Sequence, residues 1–229
     1  MRRRDLPRGL TVLILLLAGC AAAPSDLRRQ AAEHRAEGRL PEAEAAYLRL
    51  ADSLTDADRD TRAARADVLR ELGGMHASFG DAAKAERHYQ SALRVAETEP
   101  RLSDGLIINL RAQLASLSYR AGRTEEAAAR YEEVLRLERA SLGDNHPDVL
   151  ATLGILAGLR MKCGRPDQAE PLLRRQLELT ERIHGPGRRE TASALDRLAE
   201  ALSDLGKAEE AGRLRQKAAE IRKKLCDEC

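Results

Sequence analysis

Residues 122–173 read GRTEEAAARYEEVLRLERASLGDNHPDVLATLGILAGLRMKCGRPDQAEPLL. Gly122-Arg123 returns as Gly164-Arg165, and Ala127 of the first copy is matched by Ala169 of the second, a step of 42 residues. The same step in both directions reaches Gly38, Gly80 and Gly206, each with an alanine five positions on: Ala43, Ala85 and Ala211. A fixed period of roughly 20–50 residues marks a stacked array of supersecondary units.

Periodicity shows what each unit is. Ahead of the glycines, apolar residues recur at steps of three and four: Leu69, Leu72 and Met75; Leu110, Leu114 and Leu117; Leu153, Leu156 and Leu159; Leu195, Leu198 and Leu202. Such steps fall on one face of a helix. A second stripe follows each glycine, as in Ala127, Tyr131, Val134 and Leu135. The unit is helix, glycine turn, helix, and the expected fold is an all-α solenoid of about five helical hairpins. Glycine suits the turn because a helix commonly ends on a left-handed residue. The alanine one turn later lets the paired helices approach closely.

These positions resemble the tetratricopeptide repeat, in which the glycine is followed five residues on by alanine and nine on by an aromatic. Here the aromatic is Tyr47, Tyr89 and Tyr131, and it lapses to Leu173 and Arg215. The long period and the turn Gly143-Asp144-Asn145-His146-Pro147-Asp148-Val149 are similar to the kinesin-light-chain subclass, with Gly185-Pro186-Gly187 a degraded version one period later. The resemblance implies a right-handed α-solenoid and a groove lined by the first helices. It leaves function open, since one scaffold serves many roles.

The chain opens MRRRDLPRGLTVLILLLAGC: a basic start, then an apolar run from Leu10 to Ala18. That run is far shorter than the ~20 residues a spanning helix needs, so it reads as a secretory signal. Leu17-Ala18-Gly19-Cys20 resembles the bacterial lipobox. The resemblance implies lipidation of Cys20, and Ala21 after it implies sorting to the outer membrane, facing the periplasm. The expected organisation is a signal peptide at 1–19, a lipidated tether at 20–25, the repeat array at 26–225 and a tail at 226–229. The first unit is more polar than the later ones, as an end unit should be.

Charge narrows the function classes. The whole chain carries +2, but residues 1–19 hold four Arg and one Asp, leaving 35 basic and 36 acidic residues beyond them. The array therefore has no electrostatic footprint for nucleic acid. No phosphate loop or nucleophile motif is present, so neither catalysis, a cofactor nor a small-molecule substrate is expected. His34 and His76 stand one period apart and are expected to be solvated or to line a groove, without completing a metal set. His146-Pro147-Asp148 matches the co-chaperone J-domain tripeptide, yet in this setting it reads as a helix start. Cys163 and the tail pair Cys226 and Cys229 are expected at opposite ends of a helical layer; only the tail pair is spaced for a local disulfide.

Function should lie on the first-helix face. The kinesin-light-chain subclass holds peptide backbone there with asparagines, but Glu71, Gln113, Ile155 and Arg197 occupy those positions. The candidate groove residues are Arg70 early, Asn109, Ser116 and Tyr119 centrally, Gly154 and Gly158 next, and an acidic ridge of Asp196, Glu200 and Asp204 last. The expectation is a lipid-anchored, non-catalytic scaffold that binds other proteins in the cell envelope. Similar small lipoproteins assist assembly of outer-membrane, pilus or secretion complexes. Two other readings stay open. One is periplasmic redox or metal handling through Cys226 and Cys229. The other is self-assembly through an exposed stripe of Leu214, Ile221 and Leu225.

Overall fold

At five places the chain reverses within two residues, and each time a glycine with positive φ makes it possible: Gly38 (73°), Gly80 (86°), Gly122 (78°), Gly164 (69°) and Gly206 (75°). The residue after each glycine donates its N–H to the carbonyl five positions back, as Arg39 does to His34 at 2.9 Å and Arg123 to Ser118 at 2.9 Å. This is the Schellman closure, which satisfies carbonyls that a helix end leaves without partners. In four of the five turns that same residue is the N-cap of the next helix, so the connection has no slack. At the second turn the Asp81 carboxylate also accepts the Lys84 N–H at 2.9 Å.

The computed structural model describes residues 23–54, 59–98 and 104–227. The expected signal peptide, Cys20, half of the 20–25 tether and Cys229 lie outside these residues. Within them, every regular element is helical. The first hairpin is α1 (Pro24–Ala36) and α2 (Leu40–Ser53), and the second is α3 (Arg59–Ser78) and α4 (Ala82–Glu97). The third is α5 (Asp104–Arg120) and α6 (Thr124–Leu142), followed by α7 (Pro147–Lys162) and α8 (Pro166–His184), then α9 (Arg189–Asp204) and α10 (Ala208–Asp227). Each helix packs on the one before and the one after it, which is the arrangement of a solenoid.

The five repeat alanines, Ala43, Ala85, Ala127, Ala169 and Ala211, are completely buried. Leu72, Leu110, Leu153, Leu156, Leu195, Leu198 and Leu202 fill the space between hairpins. Truncating one of these to alanine costs about 2–5 kcal/mol. Tyr89 lies flat against Gly73, where an added Cβ would come within 2.6 Å of the ring. Ion pairs between the glycine turns, Lys84–Glu44, Arg123–Glu86, Arg165–Glu125 and Lys207–Glu170, link neighbouring hairpins at the rim. Their cationic partners are well exposed, so their worth is about 1 kcal/mol or less each.

The final helix is a closing element. Ile221 is buried, and Leu214 and Leu225 pack beside Ala218 against Ala192 and Leu195 of α9. The stripe expected to stand exposed for self-assembly is therefore largely packed against the molecule's own α9. His146 caps α7, its Nδ1 accepting the Asp148 N–H at 3.2 Å, with Pro147 as the first helical residue. The tripeptide His146-Pro147-Asp148 is a helix start.

Candidate functional site

First helices α5 and α7 lie side by side, and between them Tyr119, Ile155, Gly158, Leu159, Lys162, Gly154 and Tyr131 of α6 line a cavity of ≈ 220 Å³. Helical spacing puts Gly154, Ile155, Gly158 and Lys162 on neighbouring rows of one face. Gly158 has open space where a Cβ would sit. Ile155 is 45% exposed and Tyr119 38% exposed, unusual for large apolar side chains in this molecule. The Lys162 ammonium stands 4.7 Å from the Tyr119 ring centroid and donates to its hydroxyl. The result is an apolar notch with a cation at its rim. The buried Tyr131 sets the back wall, and burial holds its phenol above its ordinary pKa.

The notch is a recurring feature of the repeat. Two periods earlier Arg35, Tyr47 and Ser78 occupy the register of Tyr119, Tyr131 and Lys162, and they line a second cavity with Phe79, which is 49% exposed. Towards the C-terminus a third, more polar hollow is lined by Leu150, Gln176, Glu190, Ser193 and Arg197. Gly154 separates the central notch from this hollow. A Cβ there would collide with the Gln176 amide and come within 3.2 Å of the Arg197 guanidinium, so the two side chains cross over a bare backbone.

The remaining candidates disperse along the face. Arg70 is forked onto Asp67 of its own helix at 2.7 and 3.0 Å. Asn109 is exposed on α5. Asp196 is ion-paired with Arg222 of α10, whereas Glu200 and Asp204 are exposed. Arg215 of α10 reaches the neighbouring Ser203 at 2.7 Å. The acidic ridge thus runs beside the closing helix with one of its three charges already matched. Cys163 and Cys226 are free thiols, and burial together with Glu125 pushes the Cys163 thiol up.

The histidine expectation needs correction. His76 is neither solvated nor groove-lining: it is buried, and its ring stacks on His88 of α4 with centroids 5.3 Å apart. Burial, then the neighbouring His76, holds the His88 imidazole below its ordinary pKa. His88 was not legible in the sequence because it sits on a second helix, out of phase with His34 and His76. Ile155 and Lys162 were missed for a different reason. Ile155 was in plain view as an apolar residue at a register otherwise polar, in Glu71, Gln113 and Arg197.

Family models described as tetratricopeptide repeat match residues 108–148 and 148–224. No curated protein matches the chain. Among solved structures, BtubC (BKLC) from P. vanneervenii is 24% identical, covering 86% of this chain and 74% of that one with a TM-score of 0.63. A Podosopora anserina protein assigned as a kinesin light chain with nearly identical TPR-like repeats is 20% identical over 89% of this chain and 98% of its own, with a TM-score of 0.68. MamA is 15% identical over 89% and 94%, with a TM-score of 0.62. At these identities the likeness is one of fold. Among the described residues, no helix is long and apolar enough to cross a membrane.

Proposed function

The chain belongs to the tetratricopeptide-repeat family, and from that premise we propose that it is a non-catalytic scaffold that holds other polypeptides on its first-helix face, tethered to the cell envelope by lipid at Cys20. Repeat arrays of this kind present long surfaces to partner proteins. The observation that carries the reading is the notch between α5 and α7, where Tyr119 and Ile155 stand exposed around the gap at Gly158. Monomeric proteins keep large apolar side chains out of such concave, contiguous patches unless something covers them. With Lys162 at the rim, the notch suits a bulky apolar side chain flanked by a carboxylate. Glu200 and Asp204, farther along, suit a basic stretch.

Lipidation of Cys20 would hold this surface at the outer membrane, where assembly of a secretion, pilus or outer-membrane complex is the role we favour. A photoactivatable residue placed at Ile155 in membranes should crosslink a discrete partner, while the same residue at Arg136, exposed on second helix α6, should not. Equal yields at both positions would dispose of the groove. Separately, Cys20→Ser should release the chain from the membrane fraction and abolish palmitate labelling; unchanged fractionation would dispose of the anchor and leave the groove standing.

A further inference from the structure

One polar cluster lies at the junction of the first two hairpins, with its central histidine buried. Glu44 of α2, His76 of α3 and His88 of α4 each bring a potential ligand atom to one place, all within 4.8 Å of one another. His76 is 94% buried, and its Nε2 has no hydrogen-bond partner. It lies 3.5 Å from Glu44 Oε1, short of a hydrogen bond but facing it. The His88 ring lies parallel to that of His76, with an interplanar angle of 12°.

A buried imidazole nitrogen without a partner is costly, and native structures rarely keep one without a reason. Here the atom without a partner stands 3.5 Å from a carboxylate, with a second imidazole stacked beside its ring. A proton shared between imidazole and carboxylate would serve two of the three acceptors at most. A cation with an affinity for nitrogen and oxygen would serve all three together.

We propose that Glu44, His76 and His88 bind one divalent ion of the zinc class, stapling α2, α3 and α4 across two consecutive hairpins. Two imidazoles with one carboxylate are the donor set of zinc and its transition-metal neighbours; calcium and magnesium prefer all-oxygen sets. Ligand distances near 2.0–2.2 Å require the three atoms to close by roughly 1 Å. His76 is fixed in the core, while Glu44 and His88 are half-exposed and able to turn inward. The fourth position is left to water.

Lys84 supplies an internal control. Its ammonium donates to both Glu44 oxygens, at 2.9 and 3.3 Å, so it competes with the ion for the same carboxylate. Being 39% exposed, it can swing into solvent when the ion enters. Removing it should therefore help the metal, whereas removing a ligand should hurt it. A purely structural ion pair predicts no such opposition.

The test uses the full chain in detergent, stripped with chelator and titrated with ZnCl2 and, separately, with Co2+. One equivalent of Zn2+ should bind and raise the melting temperature. The Co2+ form should show visible d–d bands without a thiolate charge-transfer band. Because a substitution at His76 opens the core, the half-exposed ligands carry the comparison. His88→Gln and Glu44→Gln should each weaken Zn2+ by at least about tenfold, while Lys84→Met should bind more tightly than wild type. The proposal fails if wild type takes up no ion at micromolar Zn2+, or if both Gln variants bind as well as wild type. It fails equally if Co2+ reports thiolate ligation that Cys226→Ser abolishes.

Discussion

One register of the repeat is filled in four ways along the array. At the first junction it holds Glu44, His76 and His88, and one period on it holds Glu86, Ser118 and Arg130. The next two sets are Ala128, Arg160 and Leu172, then Glu170, Leu202 and Leu214. Glu86 is met by Arg123 at 3.4 Å and Arg130 at 3.5 Å, a pair of ordinary ion pairs. Ala128 is fully buried and Leu172 packs against its cluster. Glu170 is gripped by Lys207 at 2.6 Å and Arg174 at 2.8 Å. The repeat returns the same three helix positions each time. Their identities decide whether the meeting is a core, an ion pair or a ligand set, and only the first of the four supplies lone pairs on two imidazoles.

The strongest way to break that comparison is to write the second junction into the first. His88→Arg copies Arg130 and places a guanidinium, which has no lone pair to offer a metal, beside Glu44. Zn2+ affinity should fall roughly 100-fold, as for loss of a metal-site determinant. The metal-free melting temperature should move by only a few degrees, since an arginine–carboxylate pair replaces the histidine. Melting curves with and without Zn2+ check both halves. An undiminished Zn2+ response would mean that the two junctions do not differ in the way claimed.

A second contrast involves Gly73, whose register is alanine in every later repeat: Ala115, Ala157 and Ala199. Helix propensity favours alanine by ~1 kcal/mol, but overpacking against Tyr89 costs about 1–3 kcal/mol. The clash should win, leaving Gly73→Ala destabilised by roughly 1–2 kcal/mol in urea unfolding. Combining it with Tyr89→Leu should recover most of the loss, because Leu173 already stands in the equivalent place over Ala157.

How much of this was legible in the sequence follows from where each signal lives. The turn glycines and repeat alanines recur in phase, so a period of 42 exposed five hairpins and their order without any tertiary information. Gly154 and Gly158 were visible as gaps in a helix that had no other reason for glycine. What stayed hidden depends on contacts between elements far apart in phase. Arg222 neutralises Asp196 from the other helix of its hairpin, and Glu44 meets His76 from 32 residues away. No spacing rule along one helix face contains such a pairing. Burial was the other blind spot: His76 looks like a surface residue until hairpins stack over it.

Glycines divide in the same spirit. Gly122 has positive φ with open space around it, so Gly122→Ala should cost about 1 kcal/mol from backbone strain alone. Gly158 is helical and equally unobstructed, so Gly158→Ala should gain up to ~1 kcal/mol. That gain comes with a methyl group in the notch beside Ile155. Thermal melts paired with crosslinking from Ile155 should therefore show a more stable protein that captures less partner. Better stability with undiminished capture would place the binding surface elsewhere.

The smallest effect sharpens the contrast between junctions that carry charge and those that bury it. Glu138 on α6 is buried, accepts one hydrogen bond from Thr152 at 3.0 Å, and leaves its other oxygen without a partner. Burial, opposed by the Thr152 hydrogen bond and His146 and reinforced by Asp148, raises its carboxyl above the ordinary value. A carboxyl raised in the folded state adds stability while it is protonated, at pH below its unfolded value, and that stability is lost as pH rises through the folded value. At neutral pH the fold therefore carries an ionised group it disfavours. Glu138→Gln keeps the Thr152 contact and removes the charge, so its melting temperature should exceed wild type by a few degrees at pH 7. The two proteins should converge as pH falls below about 4.5. A pH-independent difference would mean that the carboxylate reaches water in the folded chain, and the gain would then have to come from packing instead.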